Sequence, residues 1–374
     1  MIFLLIITII YSITGILFLT GLYRKKTLKN DKKQFVSLII AVRNEEKYIS
    51  DCLSDISKQT YPDNMFEVIL VDDNSNDNTR EIIKEFQKNM HNAKLLEIKE
   101  NVKNFSPKKY ALNEGIKNSI GEIILTTDAD CRLKPKWIES MVTNFPEDSG
   151  MVAGFSQVCE KNKTNSIFTG IQALDFLSMM TASAGSISLG LPLAASGQNL
   201  AYRKEAFNKI GGFSKFKNRI SGDDILLLQM IKKYTNFKIN FSFNPESFVT
   251  THPSKSLKDF FNQRIRWASN AFYQRKINIP FFIYLIDLYS VNIGLLIYLT
   301  LSILFKDFSF ILLFCLLLKW LTDFFVLLKG AKIFDRIDLI KFFIFWEIFQ
   351  PIYFTFAGII GTFGKFTWKG RTYK

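Results

Sequence analysis

The chain has 374 residues, with 48 Lys and Arg against 34 Asp and Glu, a formal net charge of +14. Apolar residues make up 48% and aromatics 15%, and the mean hydropathy is +0.10. These values exclude a disordered chain and argue against an ordinary cytosolic enzyme. The length allows two or three units of roughly 100–200 residues, and basic charge on an apolar chain points to an anionic membrane surface or a nucleic acid as neighbour.

Residues 1–23 carry no charged side chain and run directly into RKKTLKNDKK. About 20 apolar residues cross a bilayer as a helix, and the segment lacks the basic start and clear cleavage site of a signal peptide. It reads as an N-terminal transmembrane anchor. The positive-inside rule then puts residues 24–33, and the domain that begins after them, in the cytoplasm.

Beyond residue 34 the pattern alternates. Apolar, β-rich runs at 35–42, 66–71, 93–98, 122–127 and 151–158 are separated by helix-like stretches at 46–58, 78–90, 108–119 and 136–144. Such alternation predicts an α/β domain with a mostly parallel sheet and helices on both faces. Ligands of these sheets bind at the carboxyl ends of the strands, and that is where the polar clusters fall: AVRNEE at 41–46, VDDNSND at 71–77 and DAD at 128–130. The first two clusters suit turns and helix caps as well as contacts to a base or ribose. Asp128 and Asp130, one residue apart at a strand end, suit a hard divalent cation bridging a diphosphate, with an acidic turn as the plain alternative.

The stretch 160–195 is apolar and rich in small residues, which fits an acceptor-side helix near the membrane face and fits core packing equally well. SGQNLAYR at 196–203 offers small residues and an amide where backbone can approach a ligand. SGDD at 221–224 precedes an apolar helical run, so Asp223 and Asp224 suit helix capping and also suit a general base. QRIRW at 263–267 lies in a segment that reads as an amphipathic helix on the membrane surface, a role compatible with a catalytic one.

Apolar character returns at 281–305 and 309–328, a predicted membrane hairpin turning at Lys306 and Asp307 on the outer side, with 329–338 returning to the cytoplasm. The stretch 339–364 holds Lys341, Glu347, Gln350 and Pro351 and has basic flanks on both sides. It is read as interfacial or re-entrant rather than spanning. Asp287, Asp323 and Glu347 are read either as polar contacts within a helix bundle or as functional intramembrane charges.

The ordered set AVRNEE, VDDNSND, DAD, GDD and QRIRW resembles the membrane-bound inverting glycosyltransferases of family 2, the group of cellulose and hyaluronan synthases and ceramide glucosyltransferase. The resemblance covers residues 35 to about 270. It implies a cytoplasmic GT-A-type nucleotide-sugar-binding domain at 34–275, flanked by the anchor at 1–23, C-terminal membrane helices at 280–366 and a basic cytoplasmic tail at 367–374. By the same resemblance Ala41, Arg43 and Glu45 cradle the base and ribose, and Asp73 pairs with uracil. Lys108 or Lys109 lies near the diphosphate, with a solvated helix start as an equally good account of the pair. Asp128 and Asp130 hold Mn²⁺ or Mg²⁺, with Asp130 the direct ligand. Asp224 is the catalytic base beside Asp223, and Gln263, Arg266 and Trp267 line the acceptor site and the donor diphosphate. The tail Thr367-Trp368-Lys369-Gly370-Arg371 is similar to a phosphate-contacting terminal motif, but is read in preference as a basic membrane-surface tail. Two departures from the family pattern stand out: Ala41 replaces a frequent Pro and Arg43 a frequent aromatic, so base recognition is expected to depart from the family's.

The implied function is inverting transfer of a sugar from a UDP-sugar to a lipid or growing glycan, by a multi-pass protein of the cell membrane acting on its cytoplasmic face. A non-catalytic membrane subunit that keeps the fold to bind nucleotide or a partner is the alternative, and the carboxylates at 128, 130, 223 and 224 speak against it. Membrane contact accounts for the Lys and Arg excess, so no nucleic-acid partner is expected. The four Cys lack C-x-x-C spacing and the chain has only two His, so neither disulfides nor a His-rich zinc site are expected. No P-loop or dinucleotide fingerprint occurs in the sequence.

Overall fold

The computed structural model describes residues 1–25, 28–30, 32–99, 102, 104–164, 166–368 and 371–373. In chain order its first elements are α1 (Ile2–Tyr23), β1 (Val36–Val42), α2 (Ile49–Ile56), β2 (Phe66–Asp72), α3 (Thr79–Asn89), β3 (Ala93–Glu97), α4 (Pro107–Lys117) and β4 (Ile123–Thr126). Next come α5 (Trp137–Thr143), β5 (Ser149–Gly154), β6 (Ser156–Val158), α6 (Ile167–Ser188), β7 (Leu200–Arg203), α7 (Lys204–Lys209), α8 (Ile225–Tyr234), β8 (Lys238–Ser242) and β9 (Val249–Thr251). The last are α9 (Leu257–Ala268), α10 (Gln274–Ile277), α11 (Ile279–Phe305), α12 (Phe310–Ile333), α13 (Phe343–Phe363), β10 (Phe366–Trp368) and β11 (Arg371–Tyr373). They form two units: 25–159 with 190–252, and 1–24 with 160–189 and 253–374.

The first unit is built on a seven-stranded sheet of order β3-β2-β1-β4-β7-β5-β8. Only β7 runs against its neighbours, pairing antiparallel with both β4 and β5. The central strands VSLIIAV and FEVILVD are buried almost throughout, as expected of parallel strands covered on both faces. One face packs Leu38, Ile40, Val68, Leu70 and Leu125 against Trp137, Ile138 and Phe145. The predicted strands and helices of this region are all present, with ends shifted by up to three residues.

The run 151–158 differs from its expectation, because it is two strands rather than one. β5 stays in the large sheet, while β6 leaves it to pair in parallel with β9. The break falls where the backbone passes the Asn199 amide, against which a Cβ at Gly154 would collide. Phe155, at the break, is fully buried and sits edge-on to Phe248 with ring centroids 5.0 Å apart. β7 itself went unread in the sequence because LAYR is too short to display a period.

In the second unit α1 packs against α6, α11 and α12, and α13 against α9 and α11. Among the described residues, four helical stretches are long and apolar enough to cross a membrane: Ile2–Tyr23, Ile279–Phe305, Phe310–Ile333 and Ile337–Phe363. The last contains the stretch read as interfacial. Its polar residues are used inside the bundle, where Glu347 and Gln350 both accept from the buried Lys319 ammonium. Lys319 also pairs with Asp323 at 2.8 Å, and the Tyr11 hydroxyl donates to Asp323. Asp287 is buried on α11. The 160–195 stretch supplies α6, which meets α1 so closely that a Cβ at Gly21 would overlap the Gly185 carbonyl.

β10 and β11 pair as an antiparallel hairpin. Lys369, Gly370 and Lys374 lie outside the described residues, as do Lys26, Thr27 and Asp31 of the basic run, and the phosphate-contact reading of the tail falls on side chains outside them too.

Asn199 is fully buried in the first unit. It accepts from the Trp137 indole at 3.0 Å and donates to the carbonyls of Phe155 and Ser247 at 2.9 and 2.7 Å. Asn199→Ala strands those partners and is expected to cost roughly 2–4 kcal/mol. Thermal unfolding of the full-length protein in detergent measures this as a lowered midpoint.

Candidate active site

β1 and β2 run side by side in register, with Val42 opposite Asp72, so the two polar clusters leave the sheet together. Each turns on an asparagine in the left-handed region, Asn44 at φ 52° and Asn74 at φ 53°, a conformation Asn tolerates better than most residues. Side chains then lace the loops to each other. The Asn44 amide donates to Ser75 Oγ at 3.1 Å, that of Asn76 to Asn44 Oδ1 at 2.9 Å, and that of Glu45 to Thr79 Oγ1 at 2.8 Å. Glu46 joins both ways, its amide donating to Asp77 and its carboxylate accepting from the Asn78 amide.

The paired acids of VDD divide their work. Asp72 is fully buried and takes a forked contact from Arg80, at 3.0 and 2.9 Å. That contact fixes the loop. Asp73 instead meets Arg43, whose Nη1 donates to the Asp73 carbonyl at 2.6 Å and lies 3.3 Å from its carboxylate. Ala41 lies half-buried on β1, opposite Val71. Ala41, Arg43, Glu45 and Asp73 thus lie at or just beyond the carboxyl ends of β1 and β2, where Arg43 meets Asp73.

The next strand end supplies DAD. Just past β4 the chain turns, with the Cys131 amide donating to the Asp128 carbonyl at 3.1 Å, and the turn buries Ala129 and leaves Asp128 and Asp130 partly exposed. Asp130 accepts from Thr251 Oγ1 at 3.4 Å, which ties the motif to β9. Opposite stands the start of α4, with Pro107 in its first turn. It is stitched to the loop before GDD: the Ser106 amide donates to the Lys217 carbonyl at 2.6 Å, and buried Lys109 donates to the carbonyls of Arg219 and Ser221 at 2.5 and 2.9 Å. Gly222 comes next at φ 91°, a left-handed conformation that favours glycine. This stitching brings Asp223 to Lys108. The Lys108 ammonium lies 2.7 Å from Asp128 and 3.0 Å from Asp223, so it holds acids from two distant motifs.

Asp224 caps α8, accepting from the Ile225 amide at 2.6 Å. Its other oxygen accepts from the Gly197 amide at 3.0 Å, and a Cβ at 197 would come within 3.2 Å of Asp223. Capping and a place in the carboxylate cluster thus belong to one residue.

Burial and neighbouring charge set how these groups titrate. Burial pushes the Asp223 carboxyl up, but the ammonium groups of Lys108 and Lys109 outweigh it and hold the group at about 2. Asp224 moves the other way, raised by burial and then by the charge of Asp223. Burial draws Lys109 down to about 8, whereas for Lys108 the attraction of Asp128 and Asp223 outweighs burial and raises it. Among the described residues no group of three or more His, Cys, Asp and Glu is arranged to hold a metal ion. Asp128 and Asp130 nevertheless fit a hard cation of the Mg²⁺ or Mn²⁺ type, which is commonly bound by one or two carboxylates together with substrate phosphates.

Gln263, Arg266 and Trp267 are carried by α9 in the helical unit. Of the two candidate lysines, Lys108 faces the acids and Lys109 the backbone. Residues that the sequence did not single out include Arg80 and Thr251. Their importance comes from acids that only the fold brings near, whereas Ser75 and Gly197 lay within flagged clusters.

Residues 37–211 match the sequence model of the family described as Glycosyl transferase family 2. That span is a family 2 glycosyltransferase domain. A poly-beta-1,6-N-acetyl-D-glucosamine synthase of Staphylococcus epidermidis is 29% identical over 239 residues, 63% of this chain and 54% of the synthase. Glycosyltransferase AglE of Haloferax volcanii is 28% identical over 233 residues, 62% of this chain and 71% of the relative. The chain thus spans little more than half the length of the synthase it matches. A mannosyltransferase from Pyrobaculum calidifontis, solved in complex with GDP-Man and Mn²⁺, aligns with a TM-score of 0.58 at 17% identity, covering 96% of this chain and 98% of that one. That likeness shows the fold: the glycosyltransferase domain is GT-A-like, with apolar helices at both ends of the chain.

The depressed carboxyl of Asp223 links stability to pH. Relative to an ordinary aspartate near 3.9, a value of about 2 corresponds to roughly 2–3 kcal/mol, present above pH ~4 and lost as pH falls towards ~2. In Lys108→Met, which removes the charge that depresses Asp223, the unfolding midpoint at pH 7 is expected to be lower and its fall between pH ~4 and ~2 shallower, measured by thermal scans of the full-length protein between pH 7 and 2.

Proposed function

We propose that the chain is an inverting glycosyltransferase that moves a sugar from a UDP-sugar to a lipid or growing glycan at the cytoplasmic face of a membrane. The observation that carries this reading is the Lys108 ammonium between Asp128 and Asp223. It brings a D-x-D pair, which can neutralise a diphosphate through a cation, to the acids of GDD, which can take a proton. The glycosyltransferase domain and its GT-A-like fold support the same reading, and the four long apolar helices support a multi-pass arrangement in the cell membrane. In that arrangement 34–275 is the catalytic domain, 1–23 an anchor and 280–366 the C-terminal membrane helices.

Asp73 and Arg43 receive the base, with Ala41 and Glu45 beside it. Asp128 and Asp130 hold Mn²⁺ or Mg²⁺, which when bound offsets the charge that grows on the leaving diphosphate. Lys108, already paired to both acid motifs, supplies a further positive charge there. Asp224 takes the proton from the acceptor hydroxyl. Its raised carboxyl is a stronger base than an ordinary aspartate, and the Ile225 and Gly197 amides hold its orientation. Attack then comes from the face opposite the nucleotide, and the anomeric configuration inverts. Gln263, Arg266 and Trp267 take the acceptor and diphosphate roles that the family resemblance implies.

The test is nucleotide release by the purified full-length protein with Mn²⁺ or Mg²⁺ and a panel of UDP-sugars, beginning with UDP-N-acetylglucosamine, and with GDP-mannose as a contrasting donor. Asp224→Asn is expected to lower turnover about 10²–10⁴-fold while nucleotide affinity stays within a few-fold. Asp130→Ala is expected to lose the cation dependence of nucleotide binding. Full turnover by Asp224→Asn would show that the base has been assigned wrongly. The acid limb of the rate should lie above the ordinary aspartate range, because activity is lost on protonation of Asp224.

A further inference from the structure

The helical unit contains a further buried ion pair, and this one includes a residue of the QRIRW segment. Asp175 on α6 and Arg264 on α9 are both buried, at 1% and 6% exposure. Arg264 Nε lies 3.1 Å from Asp175 Oδ2, and Arg264 Nη2 donates to the same oxygen. The other oxygen of Asp175 accepts from the Trp346 indole at 3.1 Å and from the Tyr353 hydroxyl, both on α13. A buried charge pair is tolerable only when its remaining hydrogen-bonding capacity is met, and here four donors saturate one carboxylate.

What remains of Arg264 points along its own helix. Nη1 donates to Gln263 Oε1, and the guanidinium stands over the rings of Phe260 and Trp267, 4.2 and 4.6 Å from their centroids. An Arg side chain has donors only. The Gln263 amide must therefore turn its oxygen to Arg264, and the group left for another molecule is its N–H₂. Gln263 offers donors, suited to a sugar hydroxyl or another oxygen acceptor. Trp267 is backed at the same time by a planar cation that Lys could not imitate.

We propose that Asp175, acting through Arg264, is the positioning residue of the QRIRW segment, fixing the donor polarity of Gln263 and the seat of Trp267 for the acceptor. The inference rests on the glycosyltransferase reading for what Gln263 and Trp267 contact, and on geometry alone for how they are held.

Two readouts separate those dependencies, both on the full-length protein in detergent. The first is acrylamide quenching of Trp267, taken as the difference from Trp267→Phe in each background. Arg264→Lys keeps a charge for Asp175 but loses the fork and the stacking, and is expected to raise the Trp267 quenching constant at least about twofold. Asp175→Asn, which retains an acceptor for Trp346 and Tyr353, is expected to do so less. Unchanged quenching in both variants overturns the proposal, whatever the activity.

The second readout is UDP release from UDP-N-acetylglucosamine, compared between native membranes, which contain acceptor, and detergent, where water is the acceptor. Arg264→Lys is expected to cut the membrane-stimulated part about tenfold and leave hydrolysis within about twofold. Gln263→Glu keeps the contact with Arg264 but replaces the N–H₂ with oxygen, so it should lose the stimulated part without altering Trp267 quenching. Equal losses of both activities in Arg264→Lys overturn the positioning role. No nucleotide release by the unmodified protein refutes the acceptor assignment, while the quenching result still decides the geometry.

Discussion

A single ammonium group organises the candidate site. Lys108 neutralises Asp128 from the end of β4 and Asp223 from the loop before α8, at 2.7 and 3.0 Å. Without a positive charge between them, two partly buried carboxylates would repel each other and one would take up a proton. With it, Asp223 stays ionised, and its charge helps raise Asp224 beside it. One pairing therefore sets unlike protonation tendencies on adjacent acids, the usual condition for one of them to act as a base near neutral pH.

The pairing depends on backbone placed with little freedom. Lys109 turns inward and spends its charge on the carbonyls of Arg219 and Ser221, so its neighbour Lys108 must face the acids. Gly222 takes the left-handed conformation that lets the chain reverse before Asp223. On the other side, Asn199 closes the turn after Gly197 by meeting the Trp137 indole and two carbonyls. These contacts involve buried polar groups, whose loss costs far more than a surface hydrogen bond contributes. The rim of the sheet is consequently held by the core beneath it.

The helical unit obeys the same rule in an apolar setting. Lys319 collects Asp323, Glu347 and Gln350, and Asp175 collects Arg264, Trp346 and Tyr353. Each cluster joins helices from separate parts of the chain. Polar groups withdrawn from water must find partners, so each cluster selects one packing among many that apolar side chains alone would permit.

Much of this was legible in the residues themselves. Continuous apolar runs mark the central strands, because parallel strands are covered on both sides. Runs of twenty apolar residues mark the long helices, since length and composition suffice for that. Asp73, Asp128, Asp130, Asp223 and Asp224 stand out as acids at element ends. Neighbouring residues hid their division of labour: nothing in VDD tells that Asp72 locks to Arg80 while Asp73 meets Arg43, nor in KK that Lys108 serves the acids and Lys109 the backbone. The short antiparallel β7, the break at Phe155 and the union of Asp175 with Arg264 were equally hidden. Sequence determines local propensity and the chemical inventory, because both act over a few residues. Partnership between distant side chains is decided by tertiary structure, because it depends on which groups are shut away from water together.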